Sequence, residues 1–422
     1  MSTTEKLNGY GPLAGVKVVE LCEWVAAPAC VRCLSEMGAT VIKVEPPYGD
    51  AQRTQGPGFG CEQTDMEDPT IDLNNTNKNF VSINLKNEEG MKFMKKLLAD
   101  ADIFVNNLRD KALNKMGLDY ETLHKEFPTL IWAQMRGYGE YGPEKDSPGF
   151  DAVCWAARGG VANVFREDGE SPAIAPQAFG DYNVGHMLAT GIVSALFNRT
   201  RTGKGEKVVT NLYAGAIWGG NIGICATQFG APYPKSRKHV PNPFNNTYRT
   251  YDDKWIYICM PQYDKYYPMM MGLFGHEDQI ENPDTNNLTS LKASGKNVEV
   301  IDWLEKAFAK KTFDEWMAIF KENEVPAQKC FRYTDVVKDE EAYDNDALRM
   351  VEYEAYGKRA LPMTPVRFGS YGDPPVVLSK PIGYHTAEFM HDYGYSDEEI
   401  AKIAEDGGVV VYDGPEIEDR IF

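Results

Sequence analysis

Basic charge is in short supply. The 422-residue chain sets 44 Lys and Arg against 62 Asp and Glu, a formal charge of −18, and no stripe of basic residues interleaved with aromatics breaks that balance. Such a surface repels phosphate backbones, which excludes nucleic acid as a partner. Long apolar runs are also missing: no window approaches the roughly 18 to 20 apolar residues that a helical membrane span needs. The opening residues Met1 to Lys6 lack the basic and then apolar layout of a signal peptide. The expectation is a cytoplasmic protein with no membrane partner.

Cysteine and histidine are sparse. Eight cysteines in so long a chain do not make a disulfide framework. Cys30-Val31-Arg32-Cys33 is a CxxC without a second pair at metal spacing, and Pro28 suits a helix start that would bury both thiols. The six histidines form neither HxxxH nor HExxH, so no metal site is expected. Glycine is absent from the first strand-to-helix turn, Cys22 to Ala27. The GxGxxG fingerprint of a dinucleotide site is therefore missing, which disfavours a nicotinamide dehydrogenase.

What the chain does have is apolar mass, 43% hydrophobic and 12% aromatic residues, enough for a large core divided between domains. Strand-like Val16–Leu21, a helix from about Pro28 to Met37 ended by Gly38, and a strand Thr40–Glu45 closed by Pro46-Pro47 make a βαβ unit. The rhythm returns in a helix Glu88–Ala99, a strand Asp102–Asn106, a helix Tyr120–Glu126 and a strand Thr129–Gln134. The expected fold is α/β, a Rossmann-like large domain on a parallel sheet over 1–225. Proline-rich Gly230–Pro243 interrupts the rhythm. A smaller α+β domain is expected over 226–333, with strands Thr247–Thr250 and Trp255–Cys259 and helices Tyr263–Phe274, Val298–Lys310 and Thr312–Asn323. A mixed segment, 334–422, closes with a capping box at Ser396-Asp397-Glu398-Glu399.

One segment stands apart: Gly180-Asp181-Tyr182-Asn183-Val184-Gly185. After it, small residues recur four apart from Gly185 to Leu196, so the helix they form can approach another backbone closely. A carboxylate placed just before that helix sits in the field of its unpaired N–H groups, which predicts Asp181 ionised at neutral pH. By itself the segment fits an N-cap aspartate as well as a nucleophile.

Six ordered motifs carry a resemblance across nearly the whole chain. They are Leu13–Leu21, Gly38–Pro46, Gly137-Tyr138-Gly139 with Gly142-Pro143, Pro148-Gly149-Phe150-Asp151, Gly180-Asp181 and Thr202–Val208, with Gly383-Tyr384-His385-Thr386 near the end. Together they resemble the family III coenzyme A transferases. Ala26-Ala27-Pro28, Leu118–Leu123 and Pro241-Asn242-Pro243-Phe244 are most similar to the branch acting on 2-hydroxy acids, such as 2-hydroxyisocaproate or phenyllactate, in anaerobic amino-acid fermentation.

The resemblance implies that Asp181 is the nucleophile. CoA would pass from an acyl-CoA or 2-enoyl-CoA to a free (R)-2-hydroxy acid through an aspartyl anhydride and an aspartyl-CoA thioester. Gly137, Tyr138 and Gly139 would lie beside the nucleophile. Val25 and Ala26 would line the thiol end of CoA, and Lys43, Arg53, Lys78 and Asn107 would sit near its nucleotide end. The aromatics Trp24, Tyr138, Tyr182, Trp218 and Phe244 are candidates for an acyl pocket. CoA thioester is then a substrate, with no permanently bound cofactor, and a homodimer of interlinked rings is implied. Two departures stand out: Asn107-Leu108-Arg109-Asp110 replaces the family's Asn-Phe-Arg-Pro, and the glycine-rich loop of formyl-CoA transferases is absent before Tyr248. The fold also resembles acyl-CoA racemases, which need a base on each face of the α-carbon. Their pattern has histidine where Phe150 stands, and phenylalanine cannot carry a proton. A catalytically silent CoA-binding scaffold would have lost the carboxylate, and Asp181 is present.

Overall fold

The computed structural model describes residues 10–64 and 66–422; the Met1–Lys6 stretch read for a signal peptide lies outside them. The chain divides into two compact units. One takes residues through Val161, Ile174–Asn221 and Glu340–Phe422; the other takes Ala162–Ala173 and Ile222–Asp339. The crossings lie a few residues from the expected boundaries at 225 and 333, and the excursion at 162–173 has no counterpart in the sequence pattern.

The first unit is built on a seven-stranded sheet. Its strands are β1 (Lys17–Leu21), β2 (Thr40–Glu45), β3 (Lys78–Ile83), β4 (Ile103–Asn106), β5 (Ile131–Arg136), β6 (Lys207–Asn211) and β12 (Val409–Val410), in the order β12-β3-β2-β1-β4-β5-β6. The pairs among β1 to β6 are all parallel, and β12 adds to β3 antiparallel. β2 and β3 were built to be covered on both faces: their β-branched and aromatic runs are buried almost throughout, as a parallel sheet requires. β1 is the switch point. From it the chain runs through helix α1 (Ala26–Glu36) to β2 on one side, while β4 pairs on the other, so the two loops after β1 and β4 diverge and leave a crevice at the strands' carboxyl ends.

Helices α2 (Glu88–Ala99), α3 (Tyr120–Glu126) and α4 (Phe179–Thr202) cover the sheet. The small-residue stripe of α4 does what its spacing predicts. A Cβ on Gly185 would come within 2.9 Å of the Ala26 carbonyl oxygen and 3.1 Å of the Cys30 amide, so α4 lies directly against the backbone of α1. Cys30 and Cys33 are buried free thiols in that helix, and burial pushes Cys33 up to about 12. α4 starts earlier than the stripe suggests, six residues before Gly185.

The second unit pairs β7 (Asn245–Arg249), β8 (Trp255–Cys259) and β9 (Ala327–Lys329) in an antiparallel sheet. Helices α5 (Tyr263–Phe274), α6 (Asn297–Phe308) and α7 (Phe313–Glu322) enclose an aromatic core with it. Tyr248 stacks on Phe308 at 4.8 Å, and Thr312 with Glu315 forms a capping box at the start of α7.

The carboxyl-terminal part belongs to the first unit and had no strand in the sequence reading. It contributes a hairpin, β10 (Leu348–Tyr353) with β11 (Gly357–Pro362), and then α8 (Asp397–Glu405), opened by the expected Ser396 and Glu399 box. Its last service is to the outer edge of β3. His385 exchanges backbone and ring hydrogen bonds with Phe80, the Thr386 hydroxyl accepts from the Ser82 amide, and β12 completes the ladder at Val409 and Val410. No helix among the described residues is long and apolar enough to cross a membrane.

Candidate active site

A cavity of about 340 Å³ opens at the crevice beside β1. Glu23, Trp24, Val25 and Ala26 line it from the loop after β1, Asn107, Leu108 and Arg109 from the loop after β4, and Met135, Arg136 and Gly137 from the end of β5. Lys145, Ser147, Pro148, Gly149 and Phe150, from the loop after β5, complete the lining with Asp181 and Leu212. This is where an open parallel sheet presents its loops to a ligand.

Asp181 enters the cavity from the first turn of α4. Contrary to the sequence reading it is the third residue of the helix, not a residue ahead of it. The position preceding the helix is Ala178, left-handed at φ +58° and unable to cap. Asp151 lies against the amino end of α4, where the amides of Gly180 and Asp181 favour its charged form. That approach needs glycine at 180, because a Cβ there would clash with the Asp151 carboxylate and the Trp155 indole. Asp151 is itself the residue before a seven-residue π-helical turn, Ala152–Arg158, the kind of irregular helix often found at functional sites.

The protonation of Asp181 is the main correction. Burial, seconded by the charge of Asp151, pushes it up to about 7, so it is not simply ionised at neutral pH. The helix field, worth about 0.3 to 1 kcal/mol, is outweighed by desolvation and a like charge. Burial also raises Asp151, against the pull of the two amides, and it raises Glu23, with Asp50 adding to the shift.

Gly137, the first glycine of the Gly-Tyr-Gly motif, lines the cavity. Its carbonyl accepts from Tyr213, and its N–H has no partner among the described residues. A Cβ on Gly137 would press on Cys154 Sγ and on Gly149, so the close approach of these two loops depends on both glycines. Tyr138 and Gly139 do not line the cavity. The Tyr138 ring lies beneath the Arg158 guanidinium at 5.3 Å, and Gly139, at φ +112°, turns the chain beside Asn211.

The residues expected near CoA separate into two groups. Val25, Ala26 and Asn107 line the cavity; Lys43, Lys78 and Arg53 do not. Lys43 and Lys78 are fully buried beneath it. Lys43 Nζ donates to Asp50 Oδ2 at 2.9 Å, Glu20 Oε1 at 3.2 Å and the Cys22 carbonyl at 3.0 Å, which uses all three of its donors. Lys78 Nζ lies 2.7 Å from Glu20 Oε2, an ion pair at an angle outside hydrogen-bonding geometry, and donates to Asn75 and to the Pro28 carbonyl. Burial works against both ammonium charges. With Asp50, Glu20 and Glu45 around it Lys43 is nonetheless raised, whereas Lys78, which leans on Glu20 alone, falls to about 8. Arg53 is occupied by the Glu45 carboxylate at 3.1 Å and the Lys380 carbonyl at 2.9 Å.

This buried set has a structural task at the site. Asp50 Oδ1 accepts from the Trp24 amide at 3.0 Å, and Lys43 holds Cys22. Asn107 clamps Glu23 from both sides, accepting from its N–H at 3.2 Å and donating to its carbonyl at 2.7 Å. The turn Cys22-Glu23-Trp24 is thus fixed at three successive residues by side chains from outside it. The turn is strained, since Trp24 sits at φ +69°, a conformation that a bulky residue holds only where its surroundings over-determine it.

Four further lining residues carry chemistry that the sequence reading left unassigned. Arg109 and Lys145 are exposed at the cavity, and their cationic groups have no partner among the described residues. Glu23 and Phe150 face the same space. The signal for Arg109 was available in its place after Asn107, at the end of a central strand. Of the aromatics named for an acyl pocket, Trp24 alone lines this one; Phe244 is buried in the core of the second unit, and Trp218 is 69% exposed.

Comparison with known proteins bears on this geometry. Residues 13–386 match the sequence model of CoA-transferase family III. The chain is 40% identical to cinnamoyl-CoA:phenyllactate CoA-transferase of Clostridium sporogenes, over 96% of this chain and 98% of that protein. It is 39% identical to (R)-2-hydroxy-4-methylpentanoate CoA-transferase of Clostridioides difficile, over 95% and 100% respectively. Among solved structures, a CaiB/BaiF family protein from Brucella suis superposes with a TM-score of 0.74 at 26% identity, covering 91% of this chain and 99% of that one.

Proposed function

The chain belongs to CoA-transferase family III, and from that premise we propose that it moves CoA from an acyl- or 2-enoyl-CoA donor to a free (R)-2-hydroxy acid of the 2-hydroxyisocaproate or phenyllactate type, with Asp181 as the nucleophile. The observation that carries the reading is the placement of Asp181, a carboxyl group in the wall of a cavity at the switch point of the sheet, with its proton affinity raised to about 7.

The steps balance as follows. An Asp181 oxygen attacks the donor thioester carbonyl, and the carbon–sulfur bond breaks to leave an aspartyl mixed anhydride and CoA thiolate. The thiolate attacks the Asp181 carbonyl, freeing the donor acid and forming an aspartyl-CoA thioester. The carboxylate of the acceptor acid repeats the sequence in reverse, regenerating Asp181 and releasing the new acyl-CoA. Each tetrahedral oxyanion needs a donor already in place, and the unpaired Gly137 N–H supplies one beside the cavity. Raising Asp181 makes it a stronger nucleophile at the cost of its ionised fraction, a compromise that favours a pKa near the working pH. Arg109 and Lys145 supply the local positive charge that CoA phosphates require on an acidic protein. A homodimer of interlinked rings and a cytoplasmic location complete the proposal.

The test is covalent trapping. After brief incubation with donor acyl-CoA and treatment with borohydride or hydroxylamine, peptide mass spectrometry is expected to find the modification on Asp181. Modification of another residue, or full transfer activity in Asp181→Asn, would overturn the assignment.

A further inference from the structure

Two aromatic side chains meet in the cavity wall. The Trp24 indole and the Phe150 ring stand 5.4 Å apart at an interplanar angle of 86°, an edge-to-face arrangement. Phe150 is 55% exposed, an unusual allowance for a ring that already has an aromatic neighbour to pack on. The backbone that carries Trp24 is tied by Asp50, Lys43 and Asn107. The two rings form a corner in which a third ring could stack on one member while meeting the edge of the other.

The corner is also close to the chemistry. Phe150 immediately precedes Asp151, whose carboxylate is stabilised by the amides of Gly180 and Asp181, and both rings line the same cavity as Asp181. Arg109, from the loop after β4, and Lys145, from the same loop as Phe150, add positive charge to the lining of this cavity. An acyl group bonded to Asp181 would share the cavity with the two rings.

From this geometry we infer that Trp24 and Phe150 form a specificity slot for an aryl side chain, so that the acid activated is an aromatic rather than an aliphatic 2-hydroxy acid. The inference rests on the transferase reading above and adds to it a choice of substrate class. Trp24 is the wall on the tied turn and Phe150 the more exposed one.

The experiment compares kcat/KM for (R)-phenyllactate and (R)-2-hydroxy-4-methylpentanoate as acceptors with one common acyl-CoA donor, in the unmodified protein, Phe150→Leu and Trp24→Gly. Glycine is chosen at 24 because it accepts φ +69° without strain, and Phe150 is exposed enough for its replacement to leave folding intact. The aromatic acid is expected to be preferred, with each variant lowering the aromatic-to-aliphatic ratio by about three- to tenfold, the size of one aromatic contact. Preference for the aliphatic acid, or a ratio unmoved in both variants, would overturn the slot while leaving the transferase intact. No new acyl-CoA from any acid would instead overturn the transferase reading, and the slot with it.

Discussion

Asp151 and Asp181 are linked through one helix end: the amides of Gly180 and Asp181 that stabilise the Asp151 carboxylate belong to the turn that carries the Asp181 side chain. One carboxylate thus faces the amino end of α4 and acts as a like charge beside Asp181. The two amides favour a negative Asp151; that same charge, after burial, raises Asp181 to about 7.

The pH profile should register this. kcat/KM is expected to rise with pH and level off as Asp181 ionises, with the limb near 7. Asp151→Asn removes the charge, so the limb should move down by about half to one unit, remaining above the usual carboxylate range because burial is the larger cause. Profiles between pH 5 and 9 check it, and an unshifted limb would rule out the charge coupling.

Asp181→Asn should abolish transfer and also change stability in a pH-dependent way. A carboxyl group whose folded pKa lies above its unfolded value of about 3.9 favours the folded state below that value. The advantage is lost as pH rises toward about 7 and stays lost above it. The variant, neutral throughout, should therefore be more stable than the parent by on the order of 4 kcal/mol at pH 8 and close to it near pH 4. Urea denaturation at the two pH values measures the difference.

Lys43→Met should damage folding, not CoA recognition as such. It leaves Glu20 and Asp50 buried without their shared cation, and breaking such a cluster costs roughly 3 to 5 kcal/mol. Replacing Asp50 with leucine at the same time should recover part of the loss. A variant of unchanged stability but weakened CoA affinity would return Lys43 to the ligand-binding role read from the sequence.

Arg109→Gln combined with Lys145→Gln should raise KM for acyl-CoA by about tenfold, as expected for loss of charge-assisted bonds, with kcat little changed. The corresponding pantetheine thioester, which lacks the nucleotide phosphates, should show almost no effect. Steady-state kinetics with both donors separates phosphate recognition from damage to the site.

Much of this was legible in the residues. The alternation of β-branched strands with helices located β1, β2, β4 and β5, and the four-residue spacing after Gly185 foretold the close packing of α4. Lys43 and Lys78 were placed near the nucleotide end of CoA by the resemblance, and the structure buries both outside the cavity lining. Lys43 lies inside Thr40–Glu45, a strand central enough to be covered on both faces, and its register partner in β1 is Glu20. An acid and a base at matching positions of neighbouring strands was the available signal. Asp151 was quoted within a motif but given no task, because a carboxylate that reaches the helix end from 30 residues upstream leaves no local pattern. β12 and the β10–β11 hairpin escaped for a similar reason, since a two-residue strand is defined by its partner.

The outer edge of β3 has a consequence for synthesis. Its hydrogen bonds go to His385, Thr386, Val409 and Val410, which leave the ribosome more than three hundred residues after β3 itself. Until they do, the nascent sheet shows an unpaired, apolar strand to every neighbouring polypeptide, the arrangement from which strand-to-strand aggregation begins. A messenger cut short near its end would encode a chain holding every residue that lines the cavity and still lacking the piece that keeps it from sticking to its siblings.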